Sequence, residues 1–286
     1  MLKIIECPRD AMQGLTDFIE TEDKIKYINA LLKVGYDTID FGSFVSPKAI
    51  PQMRDTVEVL KNLNLQDTKS KLLAIVANRR GAEDAVSFPE IKYLGYPFSI
   101  SETFQIRNTN ATIEESLKRV GDIKKLCDDT GKELVIYISM GFGNPYGDDW
   151  DADIACHWTE KLIEMGIKII SLSDTIGVSN PASITYLFDK LVNRFADVEF
   201  GAHLHTQPFN WEEKVNAAYS AGCKRFDTAI RGFGGCPMAK DDLTGNMATE
   251  NLLYYFLKNK VQTGLDDDKF QEALTIANEI FPDWQH

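Results

Sequence analysis

Two of the chain's four histidines stand in one triplet, His203-Leu204-His205, at the end of an apolar run that reads as a buried strand. Residues two apart on a strand point to the same side, so both imidazoles face one way at a spacing that can chelate a single cation. The natural anionic partner is Asp10, in the segment Cys7-Pro8-Arg9-Asp10. One carboxylate and two imidazoles with open positions suit Mn²⁺, Mg²⁺, Zn²⁺ or Fe²⁺. Arg9 is either a salt-bridge partner for Asp10 or a fork of donors for a substrate carboxylate or a developing oxyanion. A second chemical stretch is Gly232-Phe233-Gly234-Gly235-Cys236-Pro237, whose three glycines let a loop bend or a ligand approach. Cys236 is then presented on a turn, where a thiol is better explained as an acid, base or nucleophile than by packing.

The elements that must hold these residues alternate regularly. Short β-rich runs are expected at 3–7, 38–41, 71–77, 97–101, 133–139, 168–172, 199–203 and 225–230. Helical periodicity falls between them at 20–34, 113–130, 151–165, 181–195, 210–221 and 249–258, with Thr112 and Glu115 forming a capping box. Gly35, Gly95, Gly131, Gly166 and Gly222 stand where helix C-caps belong. Eight strands each followed by a helix predict an α/β fold, a (β/α)₈ TIM barrel, in one domain over 1–286. An open doubly wound sheet is the competitor, but no GxGxxG follows the first strand. Residues 266–286 read as a C-terminal helical extension, opened by the solvated acids Asp266-Asp267-Asp268.

In such a barrel, chemistry sits at the C-terminal ends of the strands. The unusual polar residues collect there: Arg9 and Asp10 after the first strand, Asp40 and Ser43 on the second, Ser101 and Glu102 after the fourth, Asp174 after the sixth, and His203 and His205 after the seventh. By itself Asp174 reads more simply as a helix N-cap. Met12, Met140 and Met238 read as packing, and His157 and His286 as structural or surface residues.

The bulk properties set limits on partners. A chain of 286 residues with net charge −12 argues against nucleic acid and against an anionic membrane surface. Five cysteines without a CxxC pair read as free thiols of a reducing compartment. Glu6 stands where a secretory leader needs its apolar core, so a cytoplasmic location is expected.

These residues resemble 3-hydroxy-3-methylglutaryl-CoA lyase, within the barrel metalloenzymes that make or break carbon–carbon bonds beside a thioester or keto acid. The carriers are Glu6 to Gln13, Ser43-Phe44-Val45-Ser46-Pro47-Lys48, Ser171 to Gly177, His203-Leu204-His205, and Gly232 to Pro237 with Thr244-Gly245-Asn246. The resemblance implies metal ligands Asp10, His203, His205 and Asn246, with Mg²⁺ or Mn²⁺ as the cofactor. It implies that Arg9 binds substrate and stabilises an enolate, that Cys236 is a loop thiol, and that Asp40 and Asp174 belong to the supporting catalytic network. Gln13 and Ser43 join Arg9 as expected substrate contacts, and His203 and the Asp174 network are candidates for the base. Lys48, Arg107 and Lys240 are candidates for meeting the CoA.

The implied reaction gives acetyl-CoA and acetoacetate, chemistry of leucine degradation and ketone bodies. The implied partners are an acyl-CoA and further copies of the chain, as a homodimer or other homo-oligomer. Two alternatives remain: a Claisen synthase or keto-acid aldolase on the same barrel with another acyl substrate, and a barrel whose metal is structural. The synthases commonly carry a regulatory extension, so the lyase is the expectation.

Overall fold

A computed structural model describes residues 1–235 and 244–281. Eight parallel strands close into a barrel in chain order. They are β1 (Lys3–Glu6), β2 (Thr38–Ser43), β3 (Lys71–Ile75), β4 (Ile91–Ser99), β5 (Glu133–Ser139), β6 (Ile169–Ser173), β7 (Glu199–His203) and β8 (Arg225–Thr228). Two short helices, α1 (Pro8–Gln13) and α3 (Thr56–Lys61), flank α2 (Thr21–Val34). Next come α4 (Arg79–Val86), α5 (Glu102–Thr109), α6 (Ile113–Thr130), α7 (Ala152–Glu164) and α8 (Pro181–Arg194). The last are α9 (Trp211–Ser220), α10 (Thr249–Lys258) and α11 (Asp267–Ile280). The expected TIM barrel is therefore present, and α11 is the added C-terminal helix, packed against α2. No helix among the described residues is long and apolar enough to cross a membrane.

The local chemistry behaves as the residue types dictate. Thr112 and Glu115 form the capping box of α6, and Asp266 caps α11 by accepting from the Lys269 amide. Gly35, Gly131, Gly166 and Gly222 all take positive φ, as helix-ending glycines do. Gly95 does not: it lies inside β4, paired with Ile75 and Val135. Mistaking it for a cap places the fourth strand six residues too late. The glycine is there for space, since a Cβ would stand 2.6 Å from Ile75 Cδ1 and 3.1 Å from Tyr137 Cε2.

Two regions are packed differently. The larger core lies between the strands and the helices. Inside the barrel a small apolar cluster of Leu73, Ile75, Tyr93, Val135, Tyr137 and Ile169 fills the side built by β3 to β6. The opposite side carries charge. There Lys3 pairs with Glu199, and the fully buried Arg225 donates to Glu199 Oε1 at 3.0 Å. Gly201 lets that arginine cross the lumen, because a Cβ would lie 2.9 Å from Arg225 Cδ. His203 stands above this charged side.

Glu6 points the other way, out of the barrel wall, and is fully buried. Its carboxylate accepts from the Ile230 amide at 2.8 Å and from Thr249 Oγ1 at 2.7 Å, which ties β1 to the start of α10. Burial pushes its carboxyl up to about 8, against the pull of those donors. The unfolded chain loses this proton near the ordinary value of 4.5, the folded chain near 8. Between the two the folded state holds more protons, so stability falls as pH rises through that window. Glu6→Gln has no such proton to lose. Its melting temperature relative to wild type should therefore climb steadily from about pH 5 to about pH 8; a pH-independent difference would contradict the burial argument.

Candidate metal centre and catalytic mouth

α1 begins directly after β1, with Pro8 at its first turn, and swings Arg9 and Asp10 over the C-terminal end of the barrel. Both are buried, and they act as a unit with β2. The Arg9 guanidinium donates from Nη1 to Asp10 Oδ1 at 2.7 Å, from Nε to Asp40 Oδ2 at 3.0 Å, and from Nη2 to Asp40 Oδ2 at 2.5 Å. Three of its five donors are used, and Arg9 still lines the central cavity. Burial pushes the Asp40 carboxyl up to about 6, against the opposing charge of Arg9. Burial also works to raise Asp10, but the Arg9 charge and the two imidazoles hold it below the ordinary carboxylate range.

Asp10, His203 and His205 bring one ligand atom each within 4.8 Å of one another. His203 Nε2 lies 4.0 Å from Asp10 Oδ2, and its Nδ1 lies 3.3 Å from Asp227 Oδ2. Burial and the neighbouring His203 press His205 down to about 4, so its imidazole is neutral, the form that binds metal. His205 Nδ1 is buried with no protein partner. Two carboxylates share one guanidinium, and a buried imidazole nitrogen is unsatisfied: the donor set fits a divalent cation.

The last member comes from the far side of the glycine-rich turn. Asn246 forms an isolated antiparallel bridge with His205 and donates from Nδ2 to Asp10 Oδ2 and to the Phe233 carbonyl, both at 2.8 Å. Both partners are acceptors, so the nitrogen end of the amide is fixed and Oδ1 is the atom left to ligate. Gly234, with φ of 93°, is what permits this closeness. A Cβ there would stand 2.6 Å from the Asp10 carbonyl oxygen and 2.8 Å from Asn246 Nδ2.

A cavity of about 240 Å³ opens at this mouth. Arg9, Asp10, Gln13, Ser43, His203 and His205 all line it, together with the apolar residues Val45, Ile50, Ile75, Pro97, Phe104 and Tyr137. Gln13 donates to Asp10 Oδ1 at 2.6 Å, and Ser43 Oγ accepts from the Val45 amide at 3.1 Å. Asp40 stands behind Arg9 and does not reach the cavity wall. Cys236, with Met238 and Lys240, lies outside the described residues, as does His286. Lys48 and His157 are exposed, and Arg107 stacks on the Tyr146 ring at 4.6 Å.

Asp174 is not a helix cap, because α8 starts seven residues later with Asn180 as its cap. Its carboxylate accepts from Ser179 Oγ at 2.5 Å and from Lys214 Nζ at 2.7 Å, with all partners buried. Lys214 also donates to the Gly177 and His205 carbonyls at 3.0 and 2.9 Å. Asp174 thus reaches the His205 backbone through Lys214, and it has no place in the cavity lining. Sequence reasoning missed Lys214, since a lysine in mid-helix carries no sign of burial. It also missed Asp227, for which a signal existed: an acid two residues after an arginine on a strand must share its face. Ser101 and Glu102 serve locally, capping α5 and receiving the Ile113 amide.

Fold and site define a class: a (β/α)₈ barrel with a candidate metal centre at its catalytic end. The model of the HMGL-like family matches residues 2–277, and the chain belongs to that family. It is 33% identical to the hydroxymethylglutaryl-CoA lyase of Bacillus subtilis over 266 residues, 93% of this chain and 88% of that protein. It is 32% identical over 259 residues to the 3-hydroxy-3-isohexenylglutaryl-CoA/hydroxymethylglutaryl-CoA lyase of Pseudomonas aeruginosa, 91% of this chain and 85% of that one. An HMG-CoA lyase of Acinetobacter baumannii, solved with coenzyme A and 3-methylmalate, superposes with a TM-score of 0.90 at 28% identity. That match spans 98% of this chain and 91% of the other.

The Asp174–Lys214 pair gives a direct test of its supporting role. Lys214→Met strands a buried carboxylate and should cost about 3–5 kcal/mol in urea unfolding. Adding Asp174→Asn should recover much of that loss. A double variant no more stable than Lys214→Met alone would contradict the pairing.

Proposed function

We propose that this chain is a metal-dependent carbon–carbon lyase that cleaves 3-hydroxy-3-methylglutaryl-CoA to acetyl-CoA and acetoacetate, with Mg²⁺ or Mn²⁺ held by Asp10, His203, His205 and Asn246. The observation that carries the reading is the convergence of Arg9, Asp10, His203 and His205 on one cavity, in a chain of the HMGL-like family.

The bond to be broken is β to a thioester. The C3 hydroxyl gives up its proton, the C2–C3 electron pair passes to the thioester as an enolate, and C2 then takes a proton. When bound, the cation supplies Lewis-acid polarisation of substrate oxygens, which makes the hydroxyl proton easier to remove. Arg9 has two unused donors at the cavity wall, placed to stabilise the thioester oxyanion, while Asp40 holds its fork in plane. Gln13 and Ser43 offer polar contacts to the substrate's carboxylate end, and His203, at the cavity wall, is the candidate to take the hydroxyl proton, with Asp174 supporting the site through Lys214. Cys236 is assigned the protonation of C2, on residue type and its place after the glycine turn.

Purified protein with Mn²⁺ or Mg²⁺ should release acetoacetate from 3-hydroxy-3-methylglutaryl-CoA, and EDTA should abolish release until metal is restored. Arg9→Lys keeps the charge but loses the fork, and should lower kcat by about 10²–10³ in protein that circular dichroism shows to be folded. Turnover insensitive to both EDTA and Arg9→Lys would contradict the reading. Cleavage of a different hydroxyacyl-CoA in place of this one would favour the aldolase alternative.

A further inference from the structure

Beneath the metal centre the barrel interior holds a column of charge ending on His203, and its lower members have no part in the proposed chemistry. It runs from Lys3 and Glu199 at the N-terminal end, through Arg225, to Asp227 and His203. The strand registers set it up. Gly201 pairs with Arg225 and His203 with Asp227, so the arginine lies across the bare glycine and the acid lies beside the histidine.

Asp227 is 2% exposed and lies at the upper end of this column. Its Oδ2 accepts from Ser171 Oγ at 2.9 Å and faces His203 Nδ1 at 3.3 Å. Its Oδ1 stands 3.9 Å from Arg225 Nε, a charge contact without a hydrogen bond. The Tyr137 ring meets the His203 ring edge-on, with centroids 5.8 Å apart and planes at 83°. The imidazole is therefore held on its edge by a carboxylate and on its side by an aromatic ring. A neutral imidazole carries one N–H, and whichever nitrogen keeps it cannot ligate a metal.

We infer that Asp227 is a positioning residue for His203: it takes the Nδ1–H bond, and so reserves the Nε2 lone pair for the cation beside Asp10. Arg225 places its guanidinium 3.9 Å behind the far oxygen of Asp227, and Gly201 supplies the room for Arg225. This rests on the metal reading above. A carboxylate behind a metal-binding histidine typically contributes 10–100-fold in metal affinity. Asp227→Asn reverses the logic, because an amide N–H can donate to Nδ1 and leave the proton on Nε2.

The test has two arms. In the first, metal-free wild-type protein labelled with ¹⁵N-histidine is examined by NMR, the His203 signal being assigned through His203→Gln. The expected result is a proton on Nδ1, and a proton on Nε2 overturns the inference without any need for a Asp227 variant. In the second, Mn²⁺ affinity is measured by the EPR signal of the free ion, with circular dichroism to check folding. Asp227→Asn should bind Mn²⁺ about 10–100-fold more weakly than wild type. Equal affinities overturn the positioning role alone. A wild-type chain that binds no Mn²⁺ overturns the metal reading itself, and the inference falls with it.

Discussion

The structure depends on one guanidinium shared by two carboxylates. Arg9 is buried between Asp10 and Asp40, and it holds the first acid ionised while it orients the second. A buried carboxylate without such a partner would take up a proton or pull water into the mouth. One arginine faces two acids, beside a His205 imidazole that burial holds neutral and a His203 imidazole that Asp227 and Asp10 shift upward. That imbalance is what a divalent cation offsets. The same arginine has two donors left unbonded and lines the cavity, so the contact that stabilises the site also equips it.

The rest of the barrel is arranged to bring this unit together. Half of the lumen is apolar and half is charged, and the charged half lies under the histidines. Two glycines govern the closest approaches. Gly201 lets Arg225 pass under His203, and Gly234 lets the last turn close on Asp10 and Asn246. Lys214 braces the other side, since it reaches from α9 to Asp174 and to the His205 carbonyl. Arg9, Asp40, Asp174, Lys214, Arg225 and Asp227 are buried around the ligands. Their partners come from different elements, Arg9 of α1 reaching Asp40 of β2 and Arg225 of β8 reaching Glu199 of β7, so the ligand geometry depends on the closure of the whole barrel.

Much of this could be read in the chain. Alternating periodicity gives eight strands because each strand of a parallel barrel is buried on both faces and each helix on one. His203, His205 and Asp10 stand out because rare ionisable types occur at strand ends. Other features leave no local mark. Gly95 looks like a helix terminator, and only its neighbours across the sheet show that it makes room for Tyr137. Asp174 looks like a cap, yet its partner Lys214 comes from 40 residues away. Long-range pairings of this kind follow from barrel register, which sequence spacing does not fix.

The central claim is that Asp10, His203, His205 and Asn246 form one metal site. A crystal structure of the protein soaked with Mn²⁺, examined at the manganese absorption edge, tests it most directly. The account predicts one strong anomalous peak per chain at the barrel mouth, about 2 Å from Asp10, both imidazoles and Asn246 Oδ1. A peak elsewhere, or coordination that leaves out His203 and His205, would contradict it.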